Sequence, residues 1–124
     1  MLITILRRTL LVAWLVGLPL SLVRAAEPSL YLTIEIQVKP GMRADFLELM
    51  NEAAVDTRAF EGCQHFAILA DNEDPTRVVF YEVWKSKESL AAYRAWRDET
   101  KFGEKLGPFL AGPPTSHEYT LASD

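Results

Sequence analysis

Arg77-Val78-Val79-Phe80-Tyr81-Glu82-Val83-Trp84 decides how this chain folds. β-Branched and aromatic side chains fill nearly every position of the stretch, which reads as a strand. Glu82 is the only charge inside it. Successive side chains of a strand point to opposite faces, so both faces of this one are apolar and both need a cover. The polar turn Asp71-Asn72-Glu73-Asp74-Pro75 precedes it, and Ser86, a residue suited to cap a helix, follows it.

Outward from this strand the pattern stays regular. Cys63–Ala70 reads as a strand opened by Glu61-Gly62. Before it, Phe46, Leu49, Met50, Ala53 and Thr57 recur at helical spacing and place a helix over about Met42–Thr57, started by the break at Pro40-Gly41. Leu30–Val38 alternates, with Leu30, Leu32, Ile34, Ile36 and Val38 on one face and Tyr31, Thr33, Glu35 and Gln37 on the other: a half-buried strand. After Ser86 a second helix sets Ser89, Ala92, Tyr93 and Trp96 on one side. Gly107-Pro108 and Gly112-Pro113-Pro114 punctuate the tail, and Ser116–Leu121 reads as a last strand. The order βαββαβ is that of the ferredoxin-like α+β unit, in which both helices cover one sheet face. The other face of Arg77–Trp84 is then too apolar to leave in water, and a second copy of the chain is the economical cover. Two sheets closed face to face make a homodimeric α+β barrel.

The first residues differ in kind. Arg7 and Arg8, the apolar run Thr9–Val23 and the small residues of Val23-Arg24-Ala25 predict a signal peptide over residues 1–25, cleaved after Ala25, with one domain over residues 26–124. The run is short for a membrane span, which takes about 20 residues, and is interrupted by Gly17 and Pro19, so no stable membrane insertion is expected after cleavage. Arg7-Arg8-Thr9-Leu10-Leu11 also fits a twin-arginine export pattern. The expected location is periplasmic or secreted. Without Arg7, Arg8 and Arg24 the 13 basic residues fall to 10 against 17 acidic ones, a formal charge of −7 that disfavours nucleic acid as a partner. Cys63 is the only cysteine and cannot form an internal disulfide. No Gly-x-Gly-x-x-Gly, Walker, Gly-x-Ser-x-Gly or Cys-x-x-Cys motif occurs.

Val38-Lys39-Pro40-Gly41, Thr57-Arg58, Glu61-Gly62-Cys63, Glu82-Val83-Trp84-Lys85-Ser86 and Ala92-Tyr93-Arg94-Ala95-Trp96-Arg97, in this order and spacing, resemble the antibiotic biosynthesis monooxygenase family, which includes quinol monooxygenase-like proteins. The resemblance implies a dimeric α+β barrel. It also implies oxygenation of a small phenolic or quinol-type substrate by O₂ as co-substrate, with no metal or organic cofactor. Tyr93 stands where many members carry a histidine, nine residues after the strand-end tryptophan. Ile34 stands where haem-degrading relatives carry an asparagine, which disfavours haem degradation, although the tryptophan those relatives also use corresponds to Trp84.

Oxygenation without a cofactor needs a substrate that gives up an electron once deprotonated, a group that stabilises the anion and a dry apolar pocket. Trp84, Tyr93, Trp96 and Arg97 are the candidates for these parts, with Trp84 and Tyr93 facing one another and Arg97 at the rim to hold a phenolate. Ile34 and Glu82 are further candidate substrate contacts. The competing reading makes the aromatics core packing and Arg97 a solvated or ion-paired side chain. His65, on the face opposite Gln64 and Phe66, is a candidate replacement base alongside Tyr93. His65 and His117 sit on different strands with no further ligand at metal spacing, so no metal site is expected. Cys63 reads as a structural thiol. Glu82 is expected to pair with a partner such as Arg58 or an arginine of the second subunit; the alternative is a general base with a raised pKa. The leading reading is a cofactor-independent monooxygenase acting on a small aromatic or quinol-type compound. The alternative is a non-catalytic dimer that binds a small apolar ligand.

Overall fold

The computed structural model of the chain describes residues 27–124, so the export signal read over residues 1–25 lies outside the described residues. The elements run β1 (Leu30–Gln37), α1 (Arg43–Ala59), β2 (Cys63–Ala70), β3 (Arg77–Trp84), α2 (Lys87–Glu99), a short α3 (Phe102–Leu106), one 3₁₀ turn (Gly107–Phe109) and β4 (Thr115–Tyr119). The sheet order is β2-β3-β1-β4, and every neighbouring pair is antiparallel. This is the ferredoxin-like α+β arrangement, with the strand apolar on both faces in the interior of the sheet.

Alternation assigns the faces. Val78, Phe80, Glu82 and Trp84 of β3 and Leu30, Leu32 and Ile36 of β1 are buried on the helix side. Phe46, Met50, Ala53, Ala54 and Thr57 of α1 cover this side at helical spacing. The apolar interior forms two clusters, one around Phe46, Phe80 and Val78 and one of Leu30, Leu32, Trp84 and Leu90, with Ile34 and Cys63 packed against both. On α2 the buried residue is Leu90; Ala92, expected on the inner face, is exposed.

The tail differs most from expectation. α3 and the 3₁₀ turn fall where only Gly-Pro punctuation was read, and they return Phe102, Leu106 and Phe109 to the core, with the Phe109 ring 5.9 Å from that of Phe46. This segment also captures the end of β1: Val38 bridges to Leu110, and the Lys39 N–H bonds the Phe109 carbonyl. Val38 also donates its N–H to the Thr76 carbonyl just before β3, so the end of β1 is held on both sides where the regular strand stops at Gln37. β4 covers Thr115–Tyr119, slightly earlier than the expected Ser116–Leu121.

Side-chain bonds to the backbone fix the β2–β3 turn. Arg43 Nη1 donates to the carbonyls of Asp71 at 2.7 Å and Asp74 at 3.0 Å. The Asp71 carboxylate accepts the N–H groups of Asp74 and Glu73 and bonds Arg77, which together hold it down to about 2.

The opposite face of the sheet carries no helix. Cross-strand register lines up Tyr119, Tyr31, Val83 and His65 in one row and His117, Thr33, Tyr81 and Ala67 in the next. Leu69 is 50% and Tyr119 52% exposed there.

Gly62, at the α1–β2 corner, takes φ +90°, and an added Cβ would lie 2.4 Å from Cβ of Ser89 on α2. Gly62→Ala therefore combines left-handed strain with overpacking and is expected to lower the unfolding free energy by about 2–4 kcal/mol. Chemical denaturation measures it, and Ser89→Gly in the same chain is expected to recover the packing part only.

Candidate functional site

The second cluster holds the aromatic residues. Trp84, the last residue of β3, is fully buried, and the register sets Leu30 and Cys63 beside it. Ser86 caps α2 by accepting the Ser89 N–H, which starts the helix immediately after the strand and brings Tyr93 over the Trp84 ring at 4.8 Å between centroids. Phe60, from the end of α1, closes the group at 5.4 Å from Tyr93, 5.5 Å from Trp96 and 6.3 Å from Trp84. Nothing in the sequence pattern singled out Phe60, because it lies just past the periodic part of α1.

The Tyr93 hydroxyl is already engaged. It bonds Thr57 Oγ1 at 2.8 Å and accepts from Arg97 Nε at 3.0 Å. Arg97 Nη2 donates to the Ala53 carbonyl and to Thr57 Oγ1, each at 2.9 Å, and Thr57 Oγ1 reaches the Ala53 carbonyl at 3.2 Å. Since Thr57 gives its proton to that carbonyl, Tyr93 donates to Thr57, and its hydroxyl is satisfied as donor and as acceptor. The guanidinium lies against Trp96 at 4.4 Å and Phe102 at 4.3 Å. Arg97 therefore ties α2 to α1 beside a shallow hollow of about 200 Å³ lined in part by Leu49, Asp56 and Lys105. Thr57, a lone hydroxyl in the apolar stripe of α1, was the sequence signal for this network.

Glu82 has a different environment. It is 2% exposed, and its register partners are Leu32 on β1 and Phe66 on β2, both apolar. Oε2 accepts the indole N–H of Trp84 at 2.7 Å, and among the described residues no other hydrogen bond and no ion pair reaches the carboxylate. The expected Arg58 partner is spent elsewhere: its Nε donates to the Phe66 carbonyl at 3.2 Å, and its guanidinium stands over the Phe66 ring. Burial pushes the Glu82 carboxyl up, against the smaller opposing effects of the Trp84 hydrogen bond and the Arg94 charge. Burial and then the nearby Glu82 likewise raise the Cys63 thiol, which favours its neutral form.

Beside this cluster a groove of about 450 Å³ runs along α2, with Leu30 and Leu90 as apolar floor, Lys87, Arg94 and Asp98 on the helix side and Glu118 on the β4 side. Ile34 is half-buried at the seam of the two clusters. His65 does not join the group. It lies on the helix-free face, exposed, with its ring 5.5 Å from Tyr81, across the sheet from Tyr93. Trp84, Tyr93, Trp96, Arg97, Ile34 and Glu82 thus share one side of the sheet.

A carboxyl whose folded pKa is raised favours the fold while protonated. Its contribution is fully present below the unfolded value, near 4.5, and is lost as pH rises through the folded one. Gln can accept the same indole hydrogen bond without a charge. Glu82→Gln is expected to unfold at higher denaturant concentration than the parent at pH 7, with the gap closing below about pH 4. Paired denaturation curves across pH measure it.

Comparison with known proteins agrees with this fold. A sequence profile of the antibiotic biosynthesis monooxygenase family matches residues 29–104, from the start of β1 to α3. The uncharacterized protein sll1783 of Synechocystis is 25% identical over 100 residues, covering 81% of this chain and 68% of its own length. PA3566 of Pseudomonas aeruginosa superposes with a TM-score of 0.71 at 16% identity, over 79% of this chain and 98% of that one. A conserved protein of Methanosarcina mazei does so with a TM-score of 0.68 at 22% identity, over 75% and 92%. With the profile spanning both helices, three strands and the Trp84–Tyr93 group, this chain belongs to the antibiotic biosynthesis monooxygenase family.

Proposed function

We propose that the protein is a cofactor-independent monooxygenase of the cell envelope that oxygenates a small aromatic, quinol-type compound. The observation that carries this reading is the groove along α2, whose floor is the outer side of the Trp84 cluster. Its volume suits a ligand of one or two fused rings, and an apolar floor with a few polar groups at the rim is the usual make-up of such a site. Trp84 backs this floor from the core side, Tyr93 packs on Trp84, and Arg97 holds α2 against α1.

The reaction balances without a bound redox group. A quinol loses a proton, the resulting anion passes an electron to O₂, and the two radicals join to put a hydroperoxide on the ring carbon beside the oxygen. Loss of water then leaves a hydroxyquinone. Each quinol and O₂ give one hydroxyquinone and one water, and all four electrons come from the substrate. The protein's part is to favour the anion and to keep water from the peroxide.

The partner in this reading is a second copy of the chain, seated on the helix-free face. Val79, Tyr81 and Val83 of β3 point there, flanked by Leu69 and Tyr119. No described helix is long and apolar enough to cross a membrane. Placement in the periplasm or outside the cell rests on the signal read over residues 1–25.

Naphthoquinol and isotopically labelled O₂ test the reaction. The expected result is oxygen uptake above the rate without protein, with one labelled atom in the hydroxyquinone. Anaerobic binding of naphthoquinol with no oxygen consumption would replace this reading by that of a non-catalytic ligand-binding dimer. Tyr93→Phe is expected to cost about 1 kcal/mol of stability and to change turnover little, since the hydroxyl is committed to Thr57 and Arg97. For the dimer, sedimentation is expected to give twice the chain mass at micromolar concentration. Tyr81→Asp, which would set a carboxylate in the middle of the interface, is expected to yield monomer.

A further inference from the structure

Arg94 and Arg97 lie on the same helix, α2, and are used differently. Arg97 is spent between the helices, where it bonds the Ala53 carbonyl, Thr57 and Tyr93. Arg94 is exposed and lines the groove along α2. Among the described residues it makes no ion pair, and no carbonyl or hydroxyl accepts a hydrogen bond from it.

The charges around this cation are of mixed sign. Lys87 enters the groove from two turns earlier on α2, Asp98 from one turn later, and Glu118 from β4. Lys87 and Glu118 approach to 3.8 Å and offset one another. Asp98 stands four residues after Arg94, the spacing at which a carboxylate could claim it, yet the two form no ion pair. Glu82, in the core, feels the charge of Arg94 but bonds only the Trp84 indole. Arg94 therefore keeps its donors free at the edge of the apolar floor made by Leu30 and Leu90. Ala91 and Ala95, one turn apart, leave the helix side of the groove flat, which suits a planar ring.

We propose that the groove is selective for aromatic carboxylates, with the ring on Leu30 and Leu90 and the acid group held by a two-pronged bond from Arg94. The inference rests on the oxygenase reading for its chemistry: the substrate is then a quinol-type ring that bears a carboxylate, and Arg94 determines that specificity. Geometry favours a carboxylate, because its two oxygens match two parallel N–H donors of a guanidinium. Charge favours a monoanion, because Asp98 and Glu118 border the same groove and repel a second negative charge.

Calorimetric titration with 2-naphthoate, 2-naphthamide and 2-naphthyl phosphate separates ring from charge, since the first two differ little in shape. Naphthoate is expected to bind about tenfold more tightly than naphthamide, between the few-fold effect of an exposed ion pair and the larger one of a buried charge-assisted bond. Naphthyl phosphate is expected to bind no more tightly than naphthoate, and added salt to shrink the preference. Arg94→Gln is expected to bind naphthoate and naphthamide alike. Arg94→Lys, which keeps the charge and loses the fork, should retain part of the preference, and Lys85→Gln, the same loss of charge away from the groove, all of it. Arg94 is exposed, so its variants are expected to fold as the parent does. Equal binding of naphthoate and naphthamide by the parent, or a preference that survives Arg94→Gln, would overturn the inference and leave the oxygenase to its own test with O₂. A preference lost in Arg94→Gln, with no oxygen uptake from naphthoquinol or its 2-carboxylate, would uphold the acid site and overturn the oxygenase. Failure of naphthoate and naphthamide alike to bind would overturn the inference and the groove as substrate site together.

Discussion

Strand β3 cannot be left in water on either face, and the remaining architecture follows from that constraint. Val78, Phe80 and Trp84 must lie under helices, and burying each is worth roughly 1.5–3 kcal/mol. The strand therefore takes an interior place between β1 and β2, and α1 and α2 pack over one face of it. Val79, Tyr81 and Val83 on the second face then make a surface that the chain's own helices do not reach. Within this strand Glu82 is the one residue that works against burial. It is held by its second neighbour, Trp84, which shares its face by the two-residue period of the strand.

The two helices are joined more by polar contacts than by apolar ones at their middle. Arg97 on α2 reaches the Ala53 carbonyl, Thr57 and Tyr93, and its flat guanidinium is sandwiched by Trp96 and Phe102. One side chain thus connects α1, α2 and α3. The Ala53 carbonyl, already used within α1, has a second lone pair for the cation. Such a clamp fixes how α2 stands on α1, and so how Tyr93 packs on Trp84. It also explains why Tyr93, although placed against Trp84, has no free hydroxyl to offer a substrate.

Most of the fold was legible in the residues. Alternation in Leu30–Gln37, the apolar run of β3 and the Ser86 cap gave strand and helix positions close to those observed, because each is a local signal with one period. The α3 and 3₁₀ segment was not legible: Phe102, Leu106 and Phe109 are spread among Gly and Pro, and only their contacts with Phe46 and α2 show them to be core. At the site, the shared face of Trp84, Tyr93 and Arg97 followed from strand and helix periods. The partner of Glu82 did not. Opposite charge pointed to Arg58, whereas the backbone carbonyl of Phe66 had already claimed that side chain and an indole two residues along the same strand took its place. Pairing between elements is a property of packing, and a linear pattern lists candidates without choosing among them.

The central claim is that β3 keeps a desolvated carboxyl group whose one hydrogen bond, among the described residues, comes from the Trp84 indole. Difference infrared spectroscopy of the carboxyl stretch, with Glu82→Gln as the subtraction, reads that group alone as pH is varied. The account predicts a protonated carboxyl band that persists clearly above the ordinary glutamate range, near 4.5, and gives way to carboxylate only at higher pH. A band that disappears at or below the ordinary value would mean that Glu82 is solvated or paired with a cation, and would contradict it.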